Sequence, residues 1–226
     1  DAILSRGLGD VYKRQFASLG YSVFCVDPKK PVTQSNEDGA DLRTTAFLQP
    51  AKTFMASLGL WEKLEPFAIP MEIMRIIDSE GDNWPPRETT AKDFLASEIS
   101  DLPFGWNIPN WLLRRTLLEN AMEYSNLELK FGLTTSSIIR RDDAAFVYLN
   151  DGSQIKSKLI IGADGRDSLV RDKSQIKISK REFSQKALTF IVTHERPHKN
   201  ASIEIHRSGG PFTFCLLYTS DAADDA

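Results

Sequence analysis

The chain has 226 residues, of which 41% are hydrophobic, 26% charged and 10% aromatic, and its formal net charge is -3. This is the profile of a globular protein of one or two domains with a sizeable core, and 28 Lys and Arg against 31 Asp and Glu leave no basic field, so no nucleic-acid partner is expected. No apolar run reaches the roughly 18 to 20 residues that cross a bilayer, and the start, DAILSRGLGD, has no basic segment followed by a long apolar stretch, so neither a membrane span nor a secretory signal is expected.

Cys25 and Cys215 are too few for a disulfide scaffold, and His194, His198 and His206 lack carboxylate or cysteine partners at ligand spacing. The expectation is a reducing, cytoplasmic setting and no metal.

In chain order, the first segment reads as foreign. Asp10-Val-Tyr-Lys-Arg-Gln15 can be encoded by GATGTGTATAAGAGACAG and Cys215-Leu-Leu-Tyr-Thr-Ser220 by TGTCTCTTATACACATCT, strings that are reverse complements apart from a one-base offset. They resemble the mosaic end that transposase-based sequencing-library preparation attaches to both ends of a DNA fragment. Ser5 to Gly9 and Ser220 to Asp224 continue the corresponding adapter arms. Residues 1–15 and 215–226 are therefore expected to be adapter-derived and without a packed role, and Gly7-x-Gly9 is not taken as a nucleotide loop.

Phe16 to Gly20 reads as the last turn of a helix closed by glycine. Tyr21 to Val26 is a buried strand ending at Asp27 and Pro28, and a loop follows from Pro31 to Asp41. The apolar spacing of Thr44 to Leu58 predicts a helix ended by Gly59, with Pro50 bending or dividing it. Glu72 to Asp78 is a strand, interrupted behind by Trp84-Pro85-Pro86, and Asn110 to Tyr124 is a helix with Asn110 as its cap. Strands are expected over Glu128 to Phe131, Ser137 to Arg140, Ala145 to Leu149 and Gln154 to Ile161, with a hairpin turn at Asn150-Asp151-Gly152. A short helix should open at Ser168, with further strands at Leu188 to His194, Ser202 to Arg207 and Pro211 to Thr213. The order is mixed α/β, with long excursions from a first sheet, as in a nucleotide-binding domain interrupted by a second sheet.

The motif with the most chemistry is KLIIGADGRDSLVR, from Lys158 to Arg171. A strand delivers Asp164 and Gly165 to its carboxyl end, where α/β sheets place ligands. Gly165 permits close backbone approach, and Ser168 can cap a helix whose N-terminal amides favour an anion such as a pyrophosphate. Asp27, at the end of a strand, is either a ribose-binding carboxylate or a solvated turn residue. Arg43 can hold carbonyl or phosphate oxygens in its planar fork or pair with Asp41 on the surface.

GADGRDSLVR resembles the Asp-Gly motif of the FAD-dependent aromatic hydroxylases, the para-hydroxybenzoate hydroxylase-like group, and Asp41-Leu-Arg43 followed by Phe54-Met-Ala-Ser-Leu-Gly-Leu-Trp61 fits the same pattern. Leu42 to Leu64, Met71 to Asp78 and Ala187 to Phe212 are most similar to the ubiquinone-biosynthesis hydroxylases. The resemblance implies an FAD-binding Rossmann-like domain of the glutathione reductase type, over 16–70 and 109–180, with an inserted mixed β-sheet substrate domain over 71–108 and 181–214. It implies FAD contacts at Asp27, Arg43, Asn110, Asp164 and Gly165, Asn110 serving otherwise as a plain helix cap.

The implied reaction is hydroxylation of a polyprenylated phenol with molecular oxygen, electrons coming from NAD(P)H or an electron-transfer protein. Peripheral association with the inner membrane or a biosynthetic complex fits the same picture. No catalytic residue is assigned. Family members open on a strand and a GxGxxG turn, whose place the adapter residues occupy, so the chain as written is expected to be inactive. Competing readings are a flavin-dependent halogenase or polyprenyl reductase of the same fold, or a non-functional gene fragment.

Overall fold

A computed structural model describes residues 2–5, 9–81, 87–192 and 194–216. The chain opens with strand β1 (Ala2–Ser5), helix α1 (Gly9–Ser18) and β2 (Val23–Asp27). It continues with β3 (Thr44–Leu48), α2 (Gln49–Ser57), α3 (Trp61–Leu64), β4 (Ile69–Met71), β5 (Ile73–Glu80), β6 (Arg87–Leu95), β7 (Gly105–Pro109) and α4 (Asn110–Met122). Then follow β8 (Leu127–Phe131), β9 (Thr135–Arg140), β10 (Ala145–Leu149), β11 (Gln154–Ser157), β12 (Ile160–Ala163), α5 (Leu169–Lys173), β13 (Ala201–His206) and β14 (Phe212–Phe214).

Two compact units divide the chain: residues 1–38 with 114–188, and 39–113 with 189–226. The stretch 39–70, assigned from sequence to the first domain, falls in the second unit. The first unit is built on a four-stranded sheet of order β12-β1-β2-β8, every pair parallel. Such a sheet must be covered on both faces. On one face Val23 and Leu127 pack with Ala17 of α1 and Ala121 of α4; on the other, Val26 packs with Val147 and Leu149 of an antiparallel β11-β10-β9 sheet. Asn126 fastens the first face, its side-chain amide donating to the carbonyls of Ala17 and Tyr21, both at 2.8 Å. The result is a helix layer, a parallel sheet and an antiparallel sheet in three layers.

The second unit holds two sheets, β14-β13-β5-β6 and β3-β7-β4. Its buried side chains include Leu60, Leu64, Ile108 and Leu112, and Trp61 meets Trp106 edge-on with ring centroids 5.3 Å apart. β7 is the buried middle strand of the smaller sheet. At Gly105 an added Cβ would lie 2.5 Å from the carbonyl oxygen of Phe47 on β3, so the close approach of these strands depends on a missing side chain.

Several expectations are corrected. Thr44 to Leu48 is a strand, and the helix starts only at Gln49. Pro50 does not bend this helix but sits in its first turn, where the absent N–H costs nothing. The strand expected over Gln154 to Ile161 is two, β11 and β12. Leu188 to His194 forms no strand in its described residues: Leu188, Phe190, Ile191 and Val192 stand exposed, because β-propensity without a neighbour to complete the ladder does not make a strand. Trp84, Pro85 and Pro86 lie outside the described residues.

The ends, expected to have no packed role, do pack in their described residues. β1 fills the slot between β2 and β12, a position that asks only for extended residues with free backbone groups, and Leu216 is buried against Ile69 and Met71. Gly105→Ala is expected to lower stability by about 1 to 3 kcal/mol, since the opposing atom is backbone and cannot turn aside. The shift in the midpoint of urea unfolding measures it.

Candidate functional site

Parallel strands aim their carboxyl ends to one edge of the sheet, and two of the sequence-predicted residues stand there. Asp27 ends β2, half-buried, its Oδ1 accepting the backbone N–H of Lys29 at 3.0 Å. Asp164 follows β12 directly, two strands away. Its carboxylate is bound within its own loop: Oδ1 accepts the hydroxyl of Ser168, and Oδ2 accepts the backbone N–H of Val170 at 3.2 Å. Ser168 caps α5 through the N–H of Arg171 at 3.1 Å. Gly165, between them, has φ +87°, a left-handed conformation that a Cβ would strain.

These bonds correct one expectation. The sequence points to the first amides of α5 as a seat for a pyrophosphate, but those of Val170 and Arg171 are taken by Asp164 and Ser168. A carboxylate six residues away in the same loop reaches them at a smaller entropic cost than an incoming anion. The Asp-Gly segment is a self-braced turn that presents Gly165 outward. Gly162 fits the same brace, since a Cβ there would lie 2.6 Å from that of Val170.

Arg43 and Asn110 meet in the second unit around a residue the sequence reading treated only as a surface partner, Asp41. Arg43 makes a two-pronged pair with it, Nε to Oδ1 and Nη2 to Oδ2, both 2.7 Å. Asn110 donates from Nδ2 to Asp41 Oδ2 at 3.1 Å, accepts the hydroxyl of Thr45 at 2.6 Å, and gives its backbone N–H to the Arg43 carbonyl at 2.8 Å. Its side chain thus joins Asp41 to β3. The side chain of Asp41 is 10% exposed and that of Arg43 59%. The guanidinium, followed by burial in the opposite sense and then the Asn110 amide, sets the Asp41 carboxyl, held down at about 2. Asp41 raises the Arg43 guanidinium in return.

Asp41 and Thr45 were missed as site builders because a hydrogen bond to Asn110 spans 69 and 65 positions respectively. The available signal was Asp-x-Arg ahead of a strand. Taken separately, the residue types fit parts of a dinucleotide: in the first unit Asp27 is a half-buried carboxylate at the carboxyl end of its strand, and in the second Arg43 is a cation fixed at one edge of its fork and open to solvent.

The layered architecture is that of the flavin-binding monooxygenase fold. PqsL of Pseudomonas aeruginosa superposes with a TM-score of 0.61 at 23% identity, over 80% of this chain and 47% of that one. The p-nitrophenol 4-monooxygenase PnpA of Pseudomonas putida gives 0.58 at 16%, over 76% and 42%. The family model described as FAD binding domain matches residues 23–216, and the chain belongs to that family.

Among curated relatives, the ubiquinone hydroxylase UbiL of Rhodospirillum rubrum is 28% identical over 198 residues, 87% of this chain and 44% of that protein. The 3-demethoxyubiquinol 3-hydroxylase of Escherichia coli is 23% identical over 223 residues, 98% and 55%. The chain spans about half the length of these relatives. Among the described residues no helix is long and apolar enough to cross a membrane.

The depressed Asp41 carboxyl sets a pH dependence. Its folded value of about 2 lies below the ordinary 3.8, so its contribution to stability is complete above about pH 4 and is lost as pH falls through 2. Urea unfolding of the wild type should therefore weaken more steeply between about pH 4 and pH 2 than that of Asp41→Asn, and the two slopes should be parallel at neutral pH.

Proposed function

We propose that this chain is part of an FAD-dependent monooxygenase that hydroxylates a polyprenylated phenol in ubiquinone biosynthesis. The observation that carries the reading is the extent of the likeness to two ubiquinone hydroxylases, which runs over 198 and 223 residues and so through both compact units. FAD, when bound, supplies the oxygen activation that places a hydroxyl on an electron-rich ring, with molecular oxygen as co-substrate and NAD(P)H or an electron-transfer protein as reductant. The protein's part is to hold and orient.

Asp27 accepts from ribose hydroxyls at the sheet edge. The Asp164 carboxylate keeps its turn closed so that the Gly165 backbone can approach the nucleotide without a side chain between. Arg43, held by Asp41 on one edge of its guanidinium, offers the other to a phosphate or carbonyl oxygen, and Asn110 keeps the pair in place from the start of α4. The sheets of the second unit then serve the substrate. A polyprenyl tail calls for peripheral attachment to the inner membrane or to a biosynthetic complex on its cytoplasmic side.

Complementation tests the reaction. The full-length gene should restore quinone synthesis in a strain blocked in ubiquinone ring hydroxylation, with the accumulated phenol consumed. A protein that binds FAD but halogenates a ring or saturates prenyl double bonds would overturn the assignment.

We also propose that residues 1–15 and 215–226 are adapter-encoded. Backbone pairing in β1 is indifferent to the origin of its side chains, so its place in the sheet is compatible with this. A genomic read across each junction is expected to diverge at those residues. Native DNA encoding DVYKRQ or CLLYTS in place would refute the proposal.

A further inference from the structure

Asn107 lies in the middle of β7 and is 2% exposed. Among the described residues its Nδ2 is buried without a hydrogen-bond partner. Buried carboxamides are nearly always satisfied, and one that is not marks a place where a partner belongs.

The register shows what surrounds it. Side chains alternate along β7, so Trp106 and Ile108 face one side, towards Trp61, and Asn107 the other. Directly across from Asn107 stand Ala46 on β3 and Ile69 on β4. Ile69 and Met71 are buried, whereas Ala46 and Leu48, on the same face of the edge strand, are exposed. The amide therefore sits beside an apolar strip that Leu216 covers at Ile69 and Met71 and that is open at Ala46 and Leu48. That is the composition of a site for a flat apolar ring with one oxygen, where apolar walls supply affinity and one donor sets orientation.

We propose that Asn107 is a specificity-determining residue, its Nδ2–H donating to the ring oxygen of the phenolic substrate lying over Ala46 and Leu48. The inference rests on the hydroxylase reading above and adds to it the group that recognises the phenol. No bond is made or broken by Asn107; it selects a ring bearing an oxygen and fixes its direction.

The test compares two probes on the full-length, FAD-loaded protein by titration calorimetry: a short-chain prenylphenol, and the prenylbenzene of equal chain length without the hydroxyl. The wild type is expected to prefer the phenol by about tenfold, the difference one net hydrogen bond makes. In Asn107→Leu, close in size and apolar, the preference should fall to about one, with the prenylbenzene bound as well as before or better. Its melting temperature should hold or rise, because an unpaired polar group has been removed from the interior. A preference unchanged in Asn107→Leu would overturn the role of Asn107 and leave the hydroxylase reading standing. A fall in melting temperature with the preference intact would make Asn107 a structural residue satisfied by the protein itself. Failure of the wild type to bind either ring would overturn the hydroxylase reading and this inference together.

Discussion

Parallel pairing of β2 with β8 governs the rest of the chain. Val23 lies beside Leu127 and Asp27 beside Phe131, so everything between them is a single crossover that must leave one end of the sheet and return to the other. Here the crossover contains most of the second unit. The outgoing and returning limbs are stitched together soon after departure, β3 antiparallel to β7, and the stitch is finished by Asp41, Arg43 and Asn110. A residue pair 69 positions apart becomes adjacent because topology brings the two limbs side by side.

The two carboxylates on which the candidate site leans work alike. Asp164 takes a hydroxyl and an amide from its own loop, and Asp41 takes a guanidinium and a carboxamide from neighbouring elements. Each stabilises a backbone path and leaves a different group facing outward: the bare Gly165 in one case, the exposed guanidinium in the other. Such bracing resists the loss of loop entropy that an incoming ligand would otherwise have to impose. In both places the carboxylate is engaged by the protein's own groups, and the exposed group is its neighbour.

What was legible in the sequence was local. GADGRDSLVR encodes a strand, a left-handed glycine and a capped helix within a few residues, and all three are present. Thr44 to Leu48 was misread because five residues satisfy a helical and an alternating pattern almost equally, and the deciding residue, Pro50, lies beyond them. β6 left no trace: Arg87 to Leu95 is nearly all exposed and polar, and it is held by backbone pairing to β5 and the bidentate Arg75–Asp93 bridge at 2.6 and 2.7 Å. β7 hid for the opposite reason, with a glycine and a proline at its ends in a stretch that reads as loop. Asp41 and Asn107 acquire their meaning only from strands that are distant in sequence.

The lock between β3 and β7 also constrains how related genes can diverge. The Arg43 carbonyl accepts the Asn110 backbone N–H, the Thr45 hydroxyl donates to Asn110 Oδ1, and Pro50 sits in the first turn of the next helix, so the count of residues from Arg43 to Pro50 is fixed at both ends. Losing or gaining one residue within that interval would exchange the two faces of β3, sending Ala46 to the side of Trp106 and Thr45 to the side of Asn107. Related sequences are therefore constrained in length along this strand more tightly than in composition, and an alignment gap placed there would signal a change of architecture.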